Sequence, residues 1–122
     1  MLVMLVDDSR TSRNIQKNVL TQLGYGDVVE AGDGVEALTK AKATPPDLIL
    51  LDWNMPNMDG LAFLKTYRAE NRKTPIIMVT TEAEKSRIIE AIKAGVNNYV
   101  VKPFTPEGLS SRIKETLAKV TA

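Results

Sequence analysis

The chain of 122 residues, 43% hydrophobic and 25% charged, has the size and composition of one globular domain spanning 1–122, with room for its own apolar core. It holds no Cys and no His, which excludes thiol nucleophiles, redox motifs, thiolate or imidazole metal sites, Ser-His-Asp machinery and a histidine phosphate carrier. Sixteen Lys plus Arg stand against fifteen Asp plus Glu, so at net +1 no global field recruits nucleic acid or an anionic membrane, and only local patches are left open.

The chain opens on an apolar run of strand length, Leu2 to Val6, that meets Asp7-Asp8. That run is too short and wrongly flanked for a signal peptide or membrane span, so a cytoplasmic protein is expected. Ile15, Val19 and Leu23 recur at helical spacing, and Gly24 follows as a helix-ending glycine. Gly24-Tyr25-Gly26 precedes a strand instead of following one, which removes it as a dinucleotide fingerprint. Asp27 to Ala31 is the second strand, and Gly32-Asp33-Gly34 reads as a turn with Asp33 near the start of a helix carried by Val35, Leu38 and Ala41. Pro45-Pro46 separates that helix from the third strand, Leu48 to Leu51. Leu61, Leu64 and Tyr67 predict the third helix, and Thr74-Pro75 breaks it before Ile76 to Val79. Ile88 and Ile92 predict the fourth helix, closed by Gly95; Tyr99 to Val101 is a brief fifth strand. Thr105-Pro106-Glu107 supplies a capping hydroxyl, an N1 proline and an acid where the fifth helix begins, carried by Leu109, Ile113 and Val120. Met55, Met58 and Met78 read as packing or loop-lining residues.

The result is a βα unit repeated five times. Strands one, three and four are nearly pure Val, Ile, Leu and Met, the pattern of parallel strands covered on both faces, so they belong in the centre. Strand two carries Asp27 and Glu30 and strand five is short, so both suit edges; the order 2-1-3-4-5 fits. In open α/β sheets of this kind ligands bind beyond the carboxyl ends of the strands, near the point where strand order reverses.

Just past those ends lie Asp7-Asp8, Asp52, Thr80-Thr81 and Lys102-Pro103. Two carboxylates about 4 Å apart repel by about 4 kcal/mol at an effective dielectric near 20, so three together need cations to stay ionised. Lys102 supplies one charge, and a divalent ion is the natural remainder. Oxygen ligands favour Mg²⁺, with Mn²⁺ able to substitute. A carboxylate beside such an ion, an ammonium and a hydroxyl is equipped to attack phosphorus. Each residue also has a plainer account: Asp7 or Asp8 capping helix one, Asp52 capping a loop, Thr80 starting helix four, Lys102 simply solvated. Their coincidence at four strand ends is what argues for a site.

The segments Val6-Asp7-Asp8, Asp52-Trp53-Asn54-Met55-Pro56-Asn57-Met58-Asp59-Gly60, Val79-Thr80 and Tyr99-Val100-Val101-Lys102-Pro103-Phe104 together resemble the response regulator receiver domains, most closely their chemotaxis branch, over Val3 to Val120. The strand-order rule used above is one that this family itself illustrates. The resemblance implies a flavodoxin-like doubly wound (βα)5 fold. It implies that Asp52 accepts a phosphoryl group from the phosphohistidine of a sensor histidine kinase. Asp8 and Asp52 are then carboxylate ligands of Mg²⁺, Asn54 a main-chain carbonyl ligand and Asp7 a ligand through water. Lys102, aimed by a cis bond to Pro103, pairs with Asp52 and then with the phosphoryl group, and Thr80 donates its hydroxyl. The resemblance also implies that the protein catalyses only its own phosphorylation and dephosphorylation.

The implied switch is Thr80 moving toward the phosphoryl group and Tyr99 turning into the vacated space; the alternative for Tyr99 is an edge-strand aromatic with a wet hydroxyl. The implied output face is helix four, strand five and helix five, with Lys85, Ile88, Ile92, Tyr99, Val101, Phe104 and Arg112 as an apolar strip with basic flanks, or else a solvated face. Partners expected from the family are the kinase, a target such as the flagellar motor switch protein, and a phosphatase; a monomer is expected. Asn54 and Glu82 can orient the water that resets the acyl phosphate, although Glu82 also fits the first turn of helix four. Thr81, Ser9 and Ile92 depart from the chemotaxis pattern, and bear on partner identity and on access to Asp52. The competing function is a Mg²⁺-dependent phosphohydrolase with Asp52 as nucleophile, against which Asn54 stands where one such class needs an acid. A third is an inert scaffold, opposed by the retained carboxylates, Thr80 and Lys102.

Overall fold

Strand and helix alternate through ten elements in the computed structural model, which describes residues 1–121: β1 (Leu2–Val6), α1 (Arg10–Gln22), β2 (Asp27–Ala31), α2 (Gly34–Ala43), β3 (Leu48–Leu51), α3 (Gly60–Glu70), β4 (Ile76–Thr80), α4 (Lys85–Ala94), β5 (Asn98–Val101) and α5 (Pro106–Thr121). The strands form one parallel sheet in the order β2-β1-β3-β4-β5, the order expected from the apolar runs and the flavodoxin-like arrangement that the resemblance implies. Because side chains alternate across a strand, each central strand feeds two cores. Met4, Val6, Ile49, Leu51, Ile76 and Met78 join the buried cluster under α2, α3 and α4. Val3, Leu5, Leu48, Leu50, Ile77 and Val79 join the one under α1 and α5. These strand residues are all essentially buried, which is why they read as unbroken apolar runs with no polar face.

The helices start where their caps dictate. Ser9, Asp33 and Asp59 accept from the amides of Ser12, Glu36 and Ala62 and cap α1, α2 and α3. The Thr105 hydroxyl accepts from the Gly108 amide at the start of α5. Neither Asp7 nor Asp8 is the cap of α1, and Thr80 lies in β4, well before α4 begins at Lys85. Gly24 and Gly95 have φ of 87° and 113°, the left-handed conformation a helix end needs and glycine adopts without penalty.

Three apolar residues expected on core-facing stripes instead face solvent: Ile15, Val35 and Val120. In α1 the inward stripe is Gln16, Val19 and Leu20, one position around from Ile15. Gln16 holds that place because its amide finds acceptors in Asp7 and Ser12, so its polarity carries no burial penalty. In α2 the stripe is Gly34, Ala37 and Ala41, small residues that admit close packing, and Val35 falls beside it. In α5 Leu109, Ile113 and Thr116 go inward, and Val120 is exposed. The fourth and fifth strands each run one residue longer than expected, to Thr80 and from Asn98.

Candidate functional site

Continuation of the parallel ladder past the strand ends gathers the site. The Asp7 amide donates to Ala31, the Asp52 amide to Val6 and the Lys102 amide to Thr80. In register, Val6 lies beside Leu51 and Thr80 beside Val101, so Asp7, Asp52 and Lys102 leave the sheet on one rim. The cluster is half-sunk: Asp7 is 1% and Asp52 8% exposed, whereas Asp8 is exposed.

Lys102 bridges two of the carboxylates, with Nζ 2.8 Å from Asp7 Oδ2 and 3.0 Å from Asp52 Oδ2. Burial pulls its pKa down, but the hydrogen bonds to Asp7 and Asp52 and their charges outweigh that and hold it above the ordinary lysine value. The bond from Lys102 to Pro103 is cis. Asp7 also accepts from the Ser9 amide and the Gln16 side chain. Asp52 Oδ1 accepts from the amides of Trp53 at 2.6 Å and Asn54 at 3.4 Å. Asp52 therefore does cap its loop, and those same amides orient its carboxylate.

Carboxylate oxygens of Asp7, Asp8 and Asp52 lie within 4.8 Å of one another. With Lys102 the only cation paired with these carboxylates among the described residues, three negative charges meet one positive charge and leave a deficit of two. An all-oxygen set with that deficit, open to solvent on the Asp8 side, fits a hard divalent cation.

Above the carboxylates stands a second arrangement, centred on Glu82. Its amide donates to the Thr80 hydroxyl at 3.3 Å, its carbonyl accepts from the Tyr99 hydroxyl at 2.6 Å, and its carboxylate accepts from the Asn54 side-chain amide at 3.3 Å. The register pairs Met78 with Tyr99 and Thr80 with Val101, so Thr80 and Tyr99 share the α2–α4 face of adjacent strands. Thr80 is fully buried, and Tyr99 is half-buried against the core. Burial first, then the charges of Glu82 and Asp52, push the Tyr99 phenol up to about 12, so its hydroxyl remains a donor at neutral pH.

Of the expected output residues, Lys85, Ile88 and Ile92 lie on α4, Tyr99 and Val101 on edge strand β5, Phe104 in the loop after it and Arg112 on α5. Ile92 is 56% exposed, Val101, Lys85 and Arg112 are exposed, and Ile88, Tyr99 and Phe104 are half-buried.

Four contributors escaped sequence reasoning. Gln16 steadies Asp7, and Arg13 donates to the Asp7 carbonyl. Gly60 approaches the acceptor loop so closely that a Cβ there would lie 2.1 Å from the Asp52 carbonyl oxygen. Arg87 places its guanidinium 5.3 Å from the centroid of the buried Trp53 ring, a cation–π contact joining α4 to the residue after Asp52. The clue at Gly60 was its place directly after Asp59, a helix cap, at the end of the Asp52 loop. The others depend on residues distant in sequence.

Among the described residues no helix is long and apolar enough to cross a membrane. Residues 3–114 match the model of the response regulator receiver domain family. The chain is similar to the chemotaxis protein CheY1 of Helicobacter pylori, 52% identical over 120 residues that cover 96% of this chain and 97% of that one. Its fold matches the crystal structure of the chemotaxis protein CheY4 of Vibrio cholerae, with a TM-score of 0.86 at 38% identity over 94% of this chain and 97% of that one. A CheY-like receiver domain from Methanospirillum hungatei superposes with a TM-score of 0.91 at 29% identity, covering 98% and 95%.

Proposed function

The chain belongs to the response regulator receiver domain family, and we propose that it acts as a receiver whose Asp52 takes a phosphoryl group from the phosphohistidine of a sensor kinase. The observation that carries this reading is the environment of Asp52: one carboxylate oxygen held by Lys102, the other by two backbone amides, with Asp7 and Asp8 alongside. An Asp52 oxygen attacks phosphorus, the P–N bond to the kinase imidazole breaks with its electron pair going to nitrogen, and a mixed anhydride forms. Lys102 then faces a phosphoryl oxygen, and Thr80 turns its hydroxyl to another. Asp8 and Asp52 through carboxylates, Asn54 through its main-chain carbonyl and Asp7 through water would hold Mg²⁺, or Mn²⁺ in its place. The chemistry that ion supplies when bound is neutralisation of charge on the peripheral phosphoryl oxygens.

Switching follows from the Glu82 backbone. A Thr80 hydroxyl drawn to the phosphoryl group leaves the Glu82 amide, and the same residue's carbonyl is what anchors Tyr99. Thr80 and Tyr99 are thus coupled through one peptide segment, and the α4–β5–α5 face around Lys85, Ile88, Ile92, Tyr99, Val101, Phe104 and Arg112 becomes the output surface. The proposed target is the flagellar motor switch protein, alongside the kinase and a phosphatase, and the likeness to chemotaxis proteins supports a role in that process. Asn54 and Glu82, joined by a hydrogen bond over the site, orient the water that attacks the anhydride phosphorus and restores the Asp52 carboxylate and inorganic phosphate.

Incubation with Mg²⁺ and acetyl phosphate tests the proposal. The expected product is an acyl phosphate on intact protein that maps to Asp52. Rapid hydrolysis of diverse phosphoesters would support a phosphohydrolase instead, and absence of both outcomes would leave an inert scaffold.

A further inference from the structure

A groove between α3 and α4, outside the α4–β5–α5 face, carries an excess of positive charge that no ion pair among the described residues offsets. Two adjoining cavities of about 490 and 500 Å³ share Lys65, Lys93 and Ala94 and form one continuous trough. Arg68 and Arg72 add two cations to it. None of Lys65, Arg68, Arg72 and Lys93 has an ion pair among the described residues. The one carboxylate lining the trough, Glu90, lies 3.5 Å from Arg87.

Arg68 is the most telling of the four. It is half-buried, and its guanidinium donates to the carbonyls of Gly95 and Asn71 and to the Asn97 side chain, all neutral acceptors. Its geometry is fixed while its charge is uncompensated, a state that favours an incoming carboxylate. The other basic hollow, between α1, β2 and α2, is different in kind: there Arg13 and Lys17 already pair with Glu30, and Lys40 with Glu36.

We propose that the α3–α4 groove docks an acidic, partly apolar segment of a partner protein. Charge complementarity gives the sign, and the walls give the rest. Ala69, Ala94 and Ile89, the last 41% exposed, present aliphatic surface between the cations. No aromatic ring lines the trough, so the stacking platform that single-stranded nucleic acid uses is missing. The ten residues of α4 make a wall about 15 Å long, the length of a peptide helix of about ten residues. This inference is independent of phosphorylation at Asp52.

The test uses a fluorescein-labelled amphipathic peptide of repeated Glu-Glu-Leu-Leu units, the same peptide with Gln for Glu, and the full chain. Anisotropy should show binding of the Glu peptide that weakens about tenfold or more, and loses salt dependence, in the triple variant Lys65→Glu, Arg72→Glu, Lys93→Glu. Arg68 is spared because its bonds brace the end of α4. Circular dichroism and thermal melting check that the variant is folded; if it is not, the single Lys93→Glu replaces it. Amide shifts in the native protein should concentrate at Gly95 and Asn97. Equal binding of the Gln peptide, undiminished binding by the folded variant, shifts centred on β5, or tighter binding of a single-stranded oligonucleotide than of the Glu peptide would each overturn the proposal.

Discussion

Replacing Asp52 by Asn removes one charge from a cluster whose internal forces nearly cancel, so its effect on stability is small while its effect on chemistry is total. The Asp52 carboxylate lies within 4.8 Å of those of Asp7 and Asp8. At an effective dielectric near 20 each of those repulsions is worth about 3.5 kcal/mol or more. The opposing attraction to Lys102, at 3.0 Å, is about 5.5 kcal/mol on the same scale. Screening at exposed Asp8 trims the repulsion, and the net expectation without metal is that Asp52→Asn is as stable as the native chain or about 1–2 kcal/mol more so. Lys102 keeps Asp7, and the amide oxygen of the new side chain can still accept from Trp53. Urea unfolding followed by fluorescence of Trp53, the sole tryptophan, measures this in EDTA and in saturating MgCl2. The native protein should gain about 2.7 kcal/mol at a Mg²⁺ concentration a hundredfold above its Kd, and Asp52→Asn clearly less. Acetyl phosphate should leave no adduct on the variant. A loss of more than about 2 kcal/mol in EDTA would refute the crowding argument. An undiminished Mg²⁺ gain would remove Asp52 from the ligand set, and a persistent adduct not traced to a neighbouring Ser or Thr would remove it as acceptor.

Glu82→Leu should slow loss of phosphate from the acyl phosphate with Mg²⁺ saturating, because it deletes the polar partner of Asn54; an unchanged decay rate would reject that role for Glu82 and leave Asp52 as acceptor. Gly60→Ala should cost about 1–3 kcal/mol or more in urea unfolding and weaken phosphorylation, since the new methyl would meet the Asp52 carbonyl; stability equal to native would show that α3 can retreat freely. Tyr99, pushed up to about 12 mainly by burial, should ionise well above the ordinary tyrosine value in an ultraviolet titration. Its neutral form is the one folding favours, so its contribution to stability holds below about pH 10 and falls as pH rises from there toward about 12. Tyr99→Phe should abolish the step near 12, and a titration curve unchanged by the substitution would contradict the assignment.

Much of the molecule is legible in the chain because its signals are local. Apolar runs of four or five residues, helical spacings between them and helix-ending glycines are properties of neighbouring residues, and they sufficed for the βα alternation and the strand order. The rule that sites form past strand ends then pointed to Asp7, Asp8, Asp52, Thr80 and Lys102 before any distance was known. What only the tertiary structure decided are relations between residues far apart in sequence. Lys102 meets Asp7 across 95 positions and Asp52 across 50, and no local pattern encodes which oxygen it takes. The Glu82 backbone as the link between Thr80 and Tyr99 depends on how the loop after β4 folds back over β5. Ile15 and Val35 failed as core residues because helical periodicity shows that a face exists, while the packing of each helix on the sheet sets which face turns inward. Gln16 is buried only because Asp7 and Ser12 satisfy its amide, and Arg68 stands uncompensated only because Gly95, Asn71 and Asn97 surround it with neutral acceptors. A polar side chain's energy is set by its partners, and those partners are assembled by the fold.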